Sequence, residues 1–129
     1  MNYNTMFVIS SAIQLLIAFG LINVWIIRFA KPTKYRGRGA HNMREEFKAY
    51  GLPLWSMYLV GTIKLSIALL LIIGFWAPAV ITPSLYILTF LMLGAITMHY
   101  KVKDPVVRML PAISMFGISL VGIYTSNLI

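Results

Sequence analysis

The feature that most constrains this fold is a series of long apolar runs that carry almost no charge. The first run, from Met6 to Ile27, is 22 residues without a charged side chain, about the length that a helix needs to cross ~30 Å of hydrocarbon. With the three runs that follow, it predicts transmembrane helices at about 6–27, 57–75, 79–98 and 105–127. We expect the first run to be retained rather than cleaved, because no basic residue precedes it and no small-residue cleavage site follows it.

Composition supports a membrane protein rather than a soluble one. The 129-residue chain is 60% hydrophobic and only 11% charged, whereas soluble domains are about 25% charged. We therefore expect an all-α protein in which residues 1–129 form one domain, a bundle of four transmembrane helices in a lipid bilayer. The chain has no cysteine, which excludes disulfides, thiol redox catalysis and thiolate metal ligands.

The net charge of +8 is concentrated in the connections between the apolar runs. Residues 28–55 hold seven of the eleven basic residues and two of the three acids, a local charge of +5, and a second basic cluster spans 101–108. Basic residues beside apolar spans mark cytoplasmic loops, so this pattern argues against a nucleic-acid partner. It predicts a plasma-membrane or bacterial inner-membrane protein with cytoplasmic basic loops, both termini outside, and the Trp76 turn outside as well.

The basic connection between the first two spans also contains a short helix, predicted at about 43–50. Asn42 is suited to cap its N-terminus with Glu45 three residues on, and Gly51 followed by Pro53 supplies a stop. The apolar residues fall on one face, at spacings of three and four: Ala40, Met43, Phe47 and Tyr50. This amphipathic helix is either a plain connector at the membrane surface or a lid or docking surface over a cavity.

Two further local predictions concern polar residues. Gln14 lies within the first span, where polar side chains turn towards neighbouring helices to find hydrogen bonds. Asp104 followed by Pro105 is typical of a helix start, with the aspartate as N-cap and the proline at the first helical position.

Lys64 is the one charged residue inside the second run. A lysine at mid-membrane costs about 2.5 to 3.5 kcal/mol on insertion scales, so it either snorkels to the headgroups or faces protein. Gly61 and Ala68 share its helix face, and small residues allow another helix to approach closely.

An inward Lys64 would belong to a candidate ligand- or partner-binding cluster in the cytoplasmic half of the bundle, formed by Lys64, His99, Asn23, Glu45 and Glu46. In this cluster either Glu45 or Glu46 supplies the carboxylate. His41 and Glu45, four residues apart, are too common a pair to predict a metal site. No nucleophile–base pair or phosphate-binding loop stands out, so we predict no catalytic residues and no evident cofactor.

Three segments carry a resemblance to a known family: GTIKLSIALLLIIGF, the ending of the third span with Ala95 and His99 four apart, and KDPVVRMLPAISMFGISL. In these segments the chain resembles the DoxX-like family of small four-helix membrane proteins. The resemblance implies the same fold. Some proteins similar to the family in outline are subunits of thiosulfate:quinone oxidoreductase or of other membrane redox complexes, and an animal branch assists nicotinic receptor assembly. Relatives often carry a glutamate where this chain has Lys64.

Two functional hypotheses follow. The first is a non-enzymatic accessory or assembly partner of another membrane protein, or of a second copy of itself, or a binder of a small apolar ligand. The second is a membrane subunit of a quinone-linked oxidoreductase complex, in which Lys64 stabilises a developing anion on the quinone and His99 exchanges protons. The first is favoured, because a bundle without a recognisable catalytic set is better suited to binding than to a reaction.

Overall fold

The computed structural model describes residues 2–129 and shows five α-helices within them. They are α1 (Tyr3–Ile22), α2 (Met43–Ala49), α3 (Leu54–Ile73), α4 (Ile81–Lys101) and α5 (Val106–Asn127). A π-helical turn, Asn23–Ile27, extends α1, and a 3-10 turn, Pro78–Val80, precedes α4. α1 starts earlier than predicted because the Asn2 side chain caps it, accepting a hydrogen bond from the backbone N–H of Thr5 at 2.8 Å.

The four long helices form a closed ring: α1 packs on α3 and α5, and α4 packs on α5 and α3. Each of the four is long and apolar enough to cross a membrane, which confirms the predicted four-helix bundle. Buried aliphatic side chains fill the centre: Ile17, Leu21, Ile67, Leu71, Leu85 and Leu88. Large apolar side chains also cover the outside, among them Phe19, Leu69, Phe90 and Leu120, as expected for a surface that contacts lipid rather than water.

Polar and small residues of α1 and α3 meet inside this ring as predicted. The amide nitrogen of Gln14 donates to the carbonyl of Leu71 at 3.0 Å, and Gln14 is buried. Ala68 is buried in the central core. Gly61 lies against the Trp25 ring so closely that an added Cβ would be 2.7 Å from its carbons. The small-residue face of α3 is therefore the face that receives α1 and its π turn.

The short helix α2 has both ends that the sequence predicts. The Asn42 side chain accepts from the backbone N–H of Glu45 at 2.9 Å. Gly51 adopts a φ of +75°, its N–H bonds to the Lys48 carbonyl, and the Leu52 N–H bonds to the Phe47 carbonyl at 3.0 Å, the pattern of a Schellman motif. The apolar face is buried against the bundle in a second core cluster with Trp25 and Met57.

The two basic segments lie together at one end of the bundle, which we call the basic end. The Lys101 ammonium donates to the Tyr50 carbonyl at 3.0 Å, and the Arg38 backbone N–H donates to Asp104 at 2.9 Å. These bonds join the connection before α3 to the connection before α5. The orientation of this end in a membrane stays a prediction from the charge pattern.

The prediction that Asp104 caps α5 is wrong. α5 begins at Val106 without a side-chain cap, because both carboxylate oxygens of Asp104 are engaged elsewhere, by His99, Arg108 and the Arg38 backbone. One distant group, the Arg38 N–H, and two nearby side chains, His99 and Arg108, have displaced the capping interaction that the sequence indicated.

Candidate functional site: a cavity at the basic end

A cavity of about 970 Å³ lies in the basic half of the bundle, and residues of all five helices line it. α2 covers it: Met43, Glu46, Phe47 and Tyr50 all contribute to its wall. Of the two interpretations that the sequence left open, the position of α2 therefore matches a lid over a cavity. Val24 and Phe90 also line the cavity and are exposed, so it communicates with the lipid-facing surface of the bundle. Its volume is at the upper end of the range of about 300–1,000 Å³ that accepts drug-sized ligands.

Lys64 faces this cavity rather than snorkelling out to the membrane surface. It is only 9% exposed, although it lies near the middle of α3. Its side chain extends towards the N-terminus of α3, as helical side chains do, and therefore towards the basic end. The ammonium is 5.5 Å from the centroid of the Trp25 ring, within range of a cation–π interaction. Within residues 2–129 it takes part in none of the salt bridges.

Trp25 occupies the π turn at the end of α1 and contributes a second polar group without a partner. The ring packs edge-on against Phe47, with centroids 6.0 Å apart, and against Gly61 of α3. Its indole nitrogen is buried and has no acceptor among residues 2–129. A buried N–H without an acceptor costs about 1–3 kcal/mol. π turns often occur at functional sites, and this one places the indole beside the Lys64 ammonium.

Arg36 fixes the connection that carries the lid. Its guanidinium is almost fully buried and donates to the carbonyls of Lys31, Arg28 and Phe29. It also forms a 2.8 Å salt bridge with Glu46 on α2. One planar group thus holds the end of α1, the following turn and α2 in a fixed arrangement, which an ammonium could not do with its three donors at a single point.

A continuous chain of polar side chains runs from Glu46 across the lid to α4 and α5. The Tyr50 hydroxyl donates to Glu46 at 2.7 Å and lies 3.3 Å from Nε2 of His99, whose Nδ1 is 2.8 Å from Asp104. We call Glu46, Tyr50, His99 and Asp104 the relay. Each of its three hydrogen bonds needs one proton, and the two carboxylates can only accept. The Tyr50 hydroxyl has one proton, which it donates to Glu46. All three bonds therefore form together only when both imidazole nitrogens carry a proton.

The environment sets the protonation of two relay members outside the spans. Burial, reinforced by the Glu46 carboxylate, raises the pKa of the Tyr50 phenol far above its ordinary value, so the hydroxyl stays protonated. Burial acts to raise the pKa of Asp104, but hydrogen bonds from His99, the Arg38 backbone and Arg108 outweigh it and lower that pKa below its ordinary value. Asp104 is accordingly a fixed acceptor at neutral pH.

The structure brings together four of the five residues that the sequence proposed. Lys64, His99, Asn23 and Glu46 all line the cavity. Glu45 does not: it is exposed on the opposite side of α2, where its backbone N–H receives the Asn42 cap. Whether the four residues bind a ligand stays a prediction.

Sequence reasoning missed three residues of this site, Arg36, Trp25 and Tyr50, and gave Asp104 only a capping role. A signal was present for the choice between the two glutamates. Glu46 is three residues after Met43 and four before Tyr50, so it shares the apolar face of α2, whereas Glu45 does not. For Arg36 there was none, because nothing local separates it from six other basic residues of the same connection.

The cavity is positively charged at its polar end. Five of its lining residues are basic and one is acidic: Arg28, Lys34, Arg36, Lys64 and Arg108 against Glu46. The rest of the lining is mainly apolar. Among residues 2–129 no three His, Asp or Glu side chains come together in a way that could hold a metal ion. This arrangement can hold an apolar molecule and donate hydrogen bonds to its polar end.

These features define a class: a four-helix membrane-spanning bundle with a polar-ended cavity beneath a short amphipathic lid. The DoxX-like family model matches residues 12–121, which include parts of all four long helices and the whole of the lid. The chain therefore belongs to the DoxX-like family, as the resemblance indicated. Neither the curated proteins nor the solved structures contain a match to this chain.

Proposed function

We propose that this DoxX-like protein is a non-enzymatic membrane protein that binds a small apolar ligand with a polar end in the cavity beneath α2. The observation that carries the proposal is the cavity itself, about 970 Å³ in volume, mainly apolar, with basic side chains at one end. A mainly apolar cleft with a few polar groups at one end is the usual form of a small-molecule site, and its opening to the lipid-facing surface gives an apolar ligand a route into it.

A fluorescence experiment tests this proposal with two matched glycines. Gly94 of α4 lines the cavity and Gly117 of α5 does not, while neither has an atom within 4 Å of an added Cβ. Gly94→Phe should therefore fill the cavity, and Gly117→Phe should leave it unchanged. With exposed Trp55 and Trp76 replaced by phenylalanine, Trp25 is the remaining tryptophan and reports on the cavity.

The probe is the methyl ester of a dibrominated stearic acid, added to protein in a neutral detergent. We expect saturable quenching of Trp25, with the apparent Kd about tenfold weaker in Gly94→Phe and unchanged in Gly117→Phe. Quenching that rises linearly with probe and is equal in both variants would mean that the cavity binds nothing, and the proposal would be wrong.

The relay favours one second candidate, a subunit of a quinone-linked oxidoreductase complex. Lys64 could donate to a quinone oxygen, and His99, held between Tyr50 and Asp104, could exchange protons with it. When bound, the quinone would supply the electron chemistry. Mass spectrometry of the purified protein separates the candidates: co-purified quinone supports the second, and a stoichiometric membrane-protein partner without quinone supports an accessory role.

A further inference from the structure

The polar end of the cavity holds a cation, the Lys64 ammonium, that forms no salt bridge within residues 2–129. The Lys64 residue is more than nine-tenths buried, and its ammonium lies 5.5 Å from the centroid of the Trp25 ring. A buried charge without a counter-charge is costly, and proteins normally pair it. The aromatic face of Trp25 offsets only part of that cost.

Glu46, the one acid in the lining, is already committed. One of its oxygens pairs with Arg36 at 2.8 Å, and the other accepts from the Tyr50 hydroxyl and the Gly37 N–H. Asp104 is likewise saturated by three donors. The protein thus presents the Lys64 ammonium, which forms no salt bridge within residues 2–129, to a cavity whose other charged lining residues are mainly basic.

We propose that the ligand of this cavity is a single-chain anionic amphiphile, such as a long-chain fatty acid, whose carboxylate pairs with Lys64. This inference rests on the proposed function and specifies the ligand's chemistry. A carboxylate offers hydrogen-bond acceptors and one negative charge, and the Lys64 ammonium has no salt-bridge partner within residues 2–129. A single tail fits a cavity of drug-ligand size, while a phospholipid, which has the same anionic character, would have to leave tails outside.

The test compares the free dibrominated stearic acid with its methyl ester on the Trp25-only protein. The two share a tail and differ in the charge of the head, so the difference in Kd reports the head alone. We expect the Kd of the acid to be at least about tenfold lower than that of the ester, because only the acid can form a charge pair with Lys64. A dibrominated phosphatidylglycerol, the phospholipid source of an anion, should bind less tightly than the acid.

Lys64→Met should bring the Kd of the acid to within about twofold of the Kd of the ester on the same variant, and a single symmetric peak in size-exclusion chromatography shows that the variant is folded. We expect it to insert well, since it removes a charge from the middle of a span. Lys48→Met on the exposed side of α2 is the matched control, with the same change in net charge and no expected effect. Lys64→Arg should keep part of the preference.

The outcomes separate the two proposals. If neither acid nor ester quenches saturably, the proposed function fails. If both bind equally, or Lys64→Met keeps the preference for the acid, the cavity binds ligands but the anionic head is wrong. If phosphatidylglycerol binds more tightly than the acid, the single-chain assignment is overturned.

Discussion

Two adjacent glutamates of α2 offer a test of how the lid is held. Glu46 is 13% exposed at its side chain and forms three bonds, to Arg36, Tyr50 and the Gly37 N–H. Glu45 is exposed and its carboxylate forms no hydrogen bond within residues 2–129. Glu46→Gln and Glu45→Gln are therefore the same chemical change on the same helix, and they differ in what the carboxylate contacts.

The magnitude follows from these contacts. Glutamine keeps one acceptor oxygen for Tyr50 and Gly37. Each of these hydrogen bonds then has a neutral acceptor and contributes about 0.5–1.5 kcal/mol, whereas a bond to the charged carboxylate contributes about 1.5–3 kcal/mol. Its amide nitrogen then faces the Arg36 guanidinium, donor against donor, and that bond is lost. We expect Glu46→Gln to lower the free energy of opening the lid by about 3 kcal/mol. This value is the lower end of the range for removing one partner of a buried salt bridge, and we choose it because Glu46 is partly exposed. Glu45→Gln should change it by less than about 0.5 kcal/mol.

Hydrogen exchange of the α2 amides, read by mass spectrometry in neutral detergent, measures this opening. A loss of about 3 kcal/mol accelerates exchange roughly a hundredfold, while Glu45→Gln should stay within about twofold or threefold of wild type. Equal exchange in the two variants would refute the argument that the pair with Arg36 fastens the lid. Arg36→Met with Glu46→Leu should be less damaging than either change alone, because no charge is then left unpaired.

Three further predictions test other parts of the structure. Since the pKa of Asp104 is lowered, its contribution to stability is complete above about pH 4 and is lost as the pH falls further. The melting temperature of Asp104→Asn should therefore fall less than that of wild type between pH 7 and pH 3. An equal fall in the two proteins would contradict this prediction. Gly61→Ala should destabilise the bundle by about 1–3 kcal/mol, because the new Cβ would be 2.7 Å from the Trp25 ring, whereas Gly94→Ala, with open space around it, serves as the tolerated control in the same denaturation series. In intact cells, an impermeant thiol reagent should label single cysteines that replace Asn4, Trp76 or Asn127, and it should not label a single cysteine that replaces exposed Lys34. Labelling at position 34 alone would invert the predicted topology.

Features set by nearby residues were predictable from the sequence, and features set by distant ones were not. The four spans follow from hydropathy, and both ends of α2 follow from Asn42 and Gly51, because capping depends on residues three or four positions away. Asp104 shows where local reasoning fails. Aspartate before proline indicates an N-cap, but the carboxylate of Asp104 instead accepts from the Arg38 N–H, which is 66 residues away. It also pairs with His99 and Arg108, which are five and four residues away.

The same limit applies to the cavity. Hydropathy placed Lys64 in a span and gave two equally admissible orientations for it. Its direction is decided by the Trp25 ring, which packs on Gly61 and provides a face for the ammonium. That contact depends on the π turn at the end of α1, and its residues Asn23–Ile27 carry no sequence pattern that distinguishes a π turn from an ordinary α-helical one.

The Arg36 bonds have a consequence for the order in which this chain folds. All the partners of its guanidinium lie between residues 28 and 46, at sequence separations of 5 to 10, whereas Tyr50 and His99 are separated by 49. Contacts between near residues close at a smaller entropic cost than contacts between distant ones. During synthesis we therefore expect the connection and α2 to assemble on the first helical hairpin before α4 and α5 emerge, so that a nascent chain ending after Phe75 already protects the α2 amides. α4 and α5 would then dock against this preformed surface, and His99 and Asp104 would complete the relay last.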